Sequence, residues 1–213
     1  MRLPDLDTRE PTGPVDALAD YYRFPIGFVM RRRLEWVLQL LPKGRAHRVL
    51  EIGYGSGVFL LELGLHGRRL FGIDIHGRGA RVRERLANHG IRALLVRGSG
   101  TALPFRGGSI DLAVIVSALE FIPGPAGCLR EALRVVGTGG CLICLTPRKV
   151  PWADAVYRLL AGRDPEASFR GARAEVFRAL REVLPGARRT RRPAWLPRWL
   201  APYELTVFGR GVG

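Results

Sequence analysis

The sequence predicts an α/β protein: a seven-stranded, mostly parallel sheet, helices on both faces, and an antiparallel C-terminal hairpin. Three observations carry that expectation. Short apolar runs alternate with helical stretches from residue 48 to residue 183. The first run ends in an acid and three alternate glycines, Glu51-Ile52-Gly53-Tyr54-Gly55-Ser56-Gly57, where a strand must stop, turn tightly and start a helix. Two strand-like runs close the chain with no helix between them, which requires antiparallel pairing.

Taken in order, residues 1–14 are proline-rich and mixed in charge, and read as a loose tail. From Asp16 to Leu41 the pattern is helical, broken at Phe24-Pro25. Ile26, Met30, Leu34, Val37 or Leu38, and Leu41 recur at three- and four-residue steps, with Arg31, Arg32 and Arg33 on the polar side. Pro42-Lys43-Gly44 ends that element. Strands are expected at 48–52, 69–74, 91–97, 110–116 and 140–146, and helices at 57–66, 78–89, 126–135, 151–161 and 172–183. Arg188–Arg192 and Tyr203–Phe208 form the closing hairpin. Residues 1–44 are expected to be a tail and helical lid, and 45–213 the ligand-binding domain.

With 213 residues and 47% hydrophobic content the chain can bury one full core. Its longest apolar run, Leu112 to Leu119, falls well short of the ~18 residues needed to span a membrane. The N-terminus carries no apolar core of a secretion signal, so a soluble, cytoplasmic protein is expected. Cys141 and Cys144 form a CxxC within a strand, where positions three apart point to opposite faces. They read as small buried residues, not a redox or metal pair. His47, His66, His76 and His89 are scattered without ligand spacing, so no metal is expected. The net charge is +15, and every one of the 34 basic residues except Lys43 and Lys149 is arginine. That charge suits RNA, an anionic membrane or an acidic substrate, and equally the base composition of a genome. Its even spread along the chain leaves these open.

The glycine turn narrows the ligand. A nicotinamide fingerprint wants GxGxxG, but its third glycine position is Val58. No GK[ST] follows, which excludes a Walker loop. The spacing E-x-G-x-G-x-G resembles the first motif of the class I S-adenosylmethionine-dependent methyltransferases, a Rossmann-like family. Four further segments, in order, are similar to that family. Phe71-Gly72-Ile73-Asp74 looks like its second strand ending in an acid. Gly98-Ser99-Gly100-Thr101-Ala102-Leu103-Pro104-Phe105 resembles its adenine loop. Ser109 to Ser117 looks like its fourth strand, and Arg134-Val135-Val136-Gly137-Thr138-Gly139-Gly140 its helix-to-strand turn. Together they cover residues 48–146.

The resemblance implies S-adenosylmethionine as cofactor, transfer of its methyl group as the activity, and roles for particular residues. Gly53, Gly55 and Gly57 would clear backbone for the cofactor, with Tyr54 beside them. Asp74 would hold the ribose hydroxyls, next to Ile75. Gly98, Ser99 and Gly100 would border the adenine, and Ser117 would line the pocket. Glu51 is expected to orient the glycine loop through backbone hydrogen bonds. Two positions depart from the family. Ser99 stands where an aspartate usually receives the adenine amine, which predicts cofactor binding weaker by about 1 kcal/mol. Phe121 replaces a frequent histidine and removes the obvious general base, leaving Glu120 as a weak catalytic candidate. Asp111 reads as a strand-start residue.

The acceptor must be read from other segments. Ser117-Ala118-Leu119-Glu120 lacks the proline and aromatic of the turn that base-amino methyltransferases carry, and no Pro-Cys nucleophile occurs. Arg191-Arg192-Pro193-Ala194-Trp195-Leu196-Pro197-Arg198-Trp199-Leu200 mixes tryptophan with arginine, which suits a membrane interface or an anionic aromatic ligand. Tyr21, Tyr22, Glu120, Phe121, Trp152, Trp195 and Trp199 are the expected acceptor rim. The expected partner is a small, apolar or lipid-like acceptor, such as a quinone or a phospholipid head group, with peripheral contact to an anionic membrane. RNA methylation and a catalytically silent cofactor-binding module are the alternatives.

Overall fold

The structure, a computed structural model, describes residues 18–41, 46–162, 164–169 and 171–209. The tail expected over 1–14 and the stop at 42–44 lie outside the described residues.

Seven strands form one sheet: β1 Ala46–Ile52, β2 Gly67–Asp74, β3 Ala93–Arg97, β4 Leu112–Val116, β5 Cys141–Pro147, β6 Arg188–Arg192 and β7 Tyr203–Gly209. Their spatial order is β3-β2-β1-β4-β5-β7-β6. The first five run parallel, while β7 lies antiparallel between β5 and β6. Among the described residues, seven α-helices accompany them: α1 Ile26–Leu38, α2 Val58–His66, α3 Gly79–Asn88, α4 Pro125–Val136, α5 Pro151–Ala161, α6 Pro165–Ser168 and α7 Arg173–Val183. A 3-10 turn, Leu18–Tyr22, precedes α1.

Strand alternation sorts the core into two layers. Val49, Val114, Ile143, Leu145 and Leu205 face α1, α2 and α3, while Leu50, Ile52, Ala113, Ile115 and Cys144 face α4 and α7. Cys141 and Cys144 fall in different layers and all three cysteines are free. α2 is apolar almost all round, and Val58 to Leu63 are all buried. That composition places it centrally, with its first turn directly behind the glycine loop. α4 has Pro125 in its first turn and Gly137 at its C-cap with φ +66°, a conformation few side chains tolerate. It buries Cys128, Leu129, Ala132, Val135 and Val136 as one helical stripe.

Asp111 accepts from the Arg48 backbone N–H at 2.7 Å and from its guanidinium at 2.8 Å. The pair ties β1 to β4 at the end of the sheet remote from the glycine turn, a structural role. Arg134 donates to the carbonyls of Leu103 and Phe105 and pairs with Glu131, which in turn accepts from Leu103 N at 2.8 Å. This clamps the loop after β3 onto α4. Among the described residues, no helix is long and apolar enough to cross a membrane, and no group of three or more potential ligands could hold a metal ion.

Candidate active site

At the C-terminal ends of β1, β4 and β5 a cavity of about 340 Å3 opens between α1, α5 and the glycine loop. Switch-point crevices of this kind are the usual ligand sites of open α/β sheets. The glycine loop forms its floor.

The three glycines do different work. Gly53, Gly55 and Gly57 all have positive φ, at +79°, +49° and +79°. A side chain on Gly53 would collide with Ala118, and one on Gly57 would come within 2.5 Å of Val82. A side chain on Gly55 would meet nothing within 4 Å. Gly53 and Gly57 therefore serve close packing of the scaffold, and Gly55 alone leaves clearance for a ligand. Gly100 likewise faces the core, against Cys128, Ile122 and Ile52.

The loop is held from the end of β2. Asp74 Oδ2 accepts the Gly55 N–H at 2.8 Å and Oδ1 the His76 N–H at 3.3 Å. His76 Nδ1 accepts from the Arg78 N–H, so the ring proton lies on Nε2 and is donated to the Gly55 carbonyl at 2.9 Å. Asp74 and His76 thus grip both sides of one peptide residue. His76 was not singled out by the sequence; its spacing of two from Asp74, just past a strand, is the only signal it carries. Tyr54 is buried edge-on against His76 with ring centroids 5.0 Å apart. Its hydroxyl is pushed up to about 12 by burial, with the charge of Asp74 adding to it. A carboxylate offers about four lone-pair sites, so Asp74 retains acceptor capacity for two hydroxyls.

Glu51 does not orient the loop, contrary to its expected role. It sits on the strand face where alternation would place an apolar residue, 3% exposed, and Oε2 has no hydrogen-bond partner. Burial first, and the charge of Asp74 second, raise its pKa well above the carboxylate range. Glu51 lines the same cavity as Arg33. Arg33 donates to Ser117 Oγ at 3.2 Å and lies 5.7 Å from the Tyr203 ring, but its Nε has no partner. No carboxylate among the described residues pairs with it. An acid and a cation, each incompletely satisfied and facing one cavity, match the ammonium and carboxylate of an amino-acid moiety. The residues present therefore fit the methionine end of S-adenosylmethionine, with Asp74 positioned for a ribose. Arg33 was read only as part of a polar helix face; helical periodicity does not say what that face meets.

Ser117 is the one described non-glycine residue with positive φ, +48°. Such backbone strain concentrates at functional sites. It is held by a hydrogen bond from its own N–H to Leu145 O at 2.8 Å, and by Arg33. Ser99 is turned inward: its hydroxyl bonds Thr101 Oγ1 at 2.7 Å and accepts the Thr101 N–H. Gly98, Ser99, Ile75 and Asp74 lie outside the cavity wall, and Ile75 is exposed.

Beyond the glycine loop the wall is mostly apolar and aromatic, with Asp20, Arg33, Arg148, Asp154 and Arg173 also in it. Tyr21, Ile26, Val29, Met30, Trp152, Val156, Tyr157, Leu160, Phe169 and Tyr203 line it. Phe121 and Tyr157 pack against Phe169 at 5.9 and 6.2 Å. Arg173 lies over Phe169 and bridges Asp154 at 2.7 Å and Glu166 at 2.6 Å, joining α5, α6 and α7 into one wall. Of the expected rim, Tyr21, Phe121 and Trp152 line the cavity. Tyr22, Trp195 and Trp199 do not, although Trp152 Nε1 donates to Leu200 O, beside Trp199. Glu120 also lies outside the wall. Its carboxyl is buried behind Phe121 with both oxygens unpartnered. Burial pushes its pKa up to about 7, against the pull of its own backbone N–H, Arg33 and Arg173.

Comparison with known proteins agrees with this arrangement. A family model described as a methyltransferase domain matches residues 50–144. A ubiquinone biosynthesis O-methyltransferase from Albidiferax ferrireducens is 27% identical over 133 residues, 60% of this chain and 51% of that protein. A ubiquinone/menaquinone biosynthesis C-methyltransferase from Bartonella tribocorum is 30% identical over 132 residues, 58% of this chain and 51% of that protein. The chain thus spans about half the length of these relatives. Among solved structures, an S-adenosylmethionine-dependent methyltransferase from Thermotoga maritima aligns with a TM-score of 0.62 at 21% identity, covering 90% of this chain and 91% of that one. The N-methyltransferase NodS from Bradyrhizobium japonicum, in complex with S-adenosylhomocysteine, aligns at 0.60 and 18% identity, covering 85% and 86%. With its ordered glycine, acid and turn motifs on this sheet, the chain carries a match to the methyltransferase domain over residues 50–144 and shares the fold of S-adenosylmethionine-dependent methyltransferases.

Proposed function

We propose that this protein transfers a methyl group from S-adenosylmethionine to a small acceptor with an apolar or lipid-like body, such as a quinone or a phospholipid head group. The observation that carries the acceptor is the cavity beyond Gly55, enclosed by aromatic and aliphatic side chains from three helices. An open trough of unpaired arginines would favour nucleic acid instead. Here Arg173 is neutralised by Asp154 and Glu166, and Arg148 donates to the carbonyls of Arg198 and Ala201.

S-adenosylmethionine, when bound, supplies a sulfonium methyl group that reacts with an acceptor nucleophile by in-line displacement. The chain's own residues bind, orient and exclude water. Asp74 and His76 fix Gly55 so that the floor is preformed. Glu51 and Arg33 present opposite charges to the amino-acid end of the donor. The apolar wall removes water from a reaction whose charges cancel, where alignment supplies most of the acceleration. No side chain in the wall is assigned as general base, so an acceptor already deprotonated at working pH suits the site best.

The test is turnover to S-adenosylhomocysteine with two acceptor sets of matched nucleophile, one carrying isoprenoid or acyl chains and one fully polar. Turnover confined to the chain-bearing set is expected. Equal or greater turnover of the polar set, or of RNA, would sink the acceptor assignment.

A further inference from the structure

Around the mouth of the cavity the protein exposes large apolar side chains that its own fold leaves uncovered. Phe24 is 89% exposed, just before α1, and Phe28 follows one turn later at 57%. On α5, Leu159 is 83% exposed, and Trp152 and Val156, which line the cavity, turn 41% and 44% of their surface outward. In the loop between β6 and β7, Trp195 and Trp199 are 80% and 70% exposed. None of the described side chains of α5 is buried. A soluble surface scatters such residues singly; here they cluster on three segments around one opening.

These segments are neighbours. Trp152 Nε1 is bonded to Leu200 O at 2.9 Å, which joins α5 to the loop carrying Trp199. Tyr203, at the end of that loop, packs at a tilt against Trp36 of α1, with ring centroids 5.9 Å apart. Exposed arginines flank the apolar residues in sequence: Arg23 beside Phe24, Arg158 beside Leu159, Arg198 beside Trp199. Among the described residues, the exposed Arg158 pairs with the partly exposed Asp164 at 3.2 Å, a surface pair that is worth little, while the exposed Arg23 reaches the buried Asp20 only at 3.9 Å. Tryptophan and phenylalanine among arginines, on a chain of net charge +15, are complementary to an anionic lipid surface. Side chains with so little protein around them fit a soft phase that flows around each, better than a rigid partner.

We infer that this rim docks on an anionic bilayer, with Phe24, Phe28, Leu159 and Trp199 entering the interface and the cavity opening onto it. The inference rests on the apolar-acceptor reading above, since docking would place the opening where such a molecule resides.

The experiment is co-sedimentation of the full chain with vesicles of phosphatidylcholine alone and of phosphatidylcholine with phosphatidylglycerol. The wild type and a Phe24→Ser/Leu159→Ser/Trp199→Ser variant are compared, with S-adenosylmethionine affinity as the control for folding. The wild type is expected to prefer the anionic vesicles and to lose that preference at high salt. The variant is expected to partition about tenfold more weakly or less, with donor affinity unchanged. Equal binding to both vesicles, undiminished binding by the variant, or a wild-type dimer that the variant dissociates each overturn the inference; the last would assign the rim to a second copy of the chain. Vesicle binding without turnover of chain-bearing acceptors overturns the acceptor reading and leaves the docking intact.

Discussion

Arg33 of α1 donates to Ser117 Oγ across 3.2 Å, joining the helix that roofs the cavity to the end of β4 beneath it. Ser117 has φ +48°, which a side chain tolerates only when its surroundings hold it there. The bond therefore couples a strained backbone to a cation facing the donor site.

Arg33→Met is expected to weaken S-adenosylmethionine binding about ten- to a hundredfold, the loss of one or two charge-assisted hydrogen bonds. Arg33→Lys should recover part of it. Ser117→Gly should keep the fold or stabilise it while weakening donor binding only a few-fold. Titration calorimetry separates the three; donor affinity unchanged in Arg33→Met would remove Arg33 from the site.

Glu51 is expected to make donor binding depend on pH. Its pKa in the free protein is raised by burial and by Asp74, so it holds a proton between the ordinary carboxylate range and that raised value. An ammonium favours the ionised form, so binding expels the proton. Affinity is thus expected to rise with pH through that window and to level off above it. Calorimetry in buffers of differing ionisation enthalpy should record proton release, and Glu51→Gln should abolish it.

The grip on Gly55 divides into two parts. His76→Ala removes the bond to the Gly55 carbonyl and leaves the Asp74 bond, so donor affinity should fall about five- to tenfold. Asp74→Ala removes the loop bond and the hydroxyl acceptor together, and should cost about a hundredfold or more. Gly55→Ala adds a side chain into open space at positive φ; it should cost about 1 kcal/mol of stability and block the donor. A Gly55→Ala protein with full donor affinity would contradict the placement.

Glu120 is a stability liability at neutral and alkaline pH. Its pKa rises from 4.5 to about 7 in the folded protein. The folded state therefore binds more protons than the unfolded state between about pH 4.5 and 7, so stability falls as pH rises through that window and levels off above it. Glu120→Gln is expected to raise the unfolding free energy at pH 8 by roughly 3 kcal/mol at most, seen as a higher Tm, and to change it little at pH 5. Activity should survive, because Glu120 lies outside the cavity wall. Abolished turnover with intact donor binding would restore it as a catalytic residue.

Much of the architecture was legible in the sequence, and for local reasons. Strands and helices between residues 46 and 209 fall within a few residues of their expected positions, because apolar period and glycine or proline punctuation are properties of each segment. The CxxC divided between two layers as the alternation of a strand requires. The site was legible in outline and misread in detail. Three glycines look alike in a motif, but only Gly55 faces open space, since Ala118 and Val82 come from distant segments. Ser99 was read as a ligand group, yet its hydroxyl is spent on Thr101. His76 was read as a scattered histidine and Arg33 as part of a polar helix face, because each gains its meaning from a partner on another element.

The sequence by itself determined the order of strands and helices, the resemblance to methyltransferases over its central part, and the glycine turn at the end of β1. These follow from short-range patterning and from a turn whose backbone demands glycine. Only the tertiary structure decided which groups are left unsatisfied in the cavity, how its wall is closed by Arg173, and which tryptophans face outward instead of lining it. Those depend on burial and on contacts between residues tens of positions apart, and no local pattern encodes them.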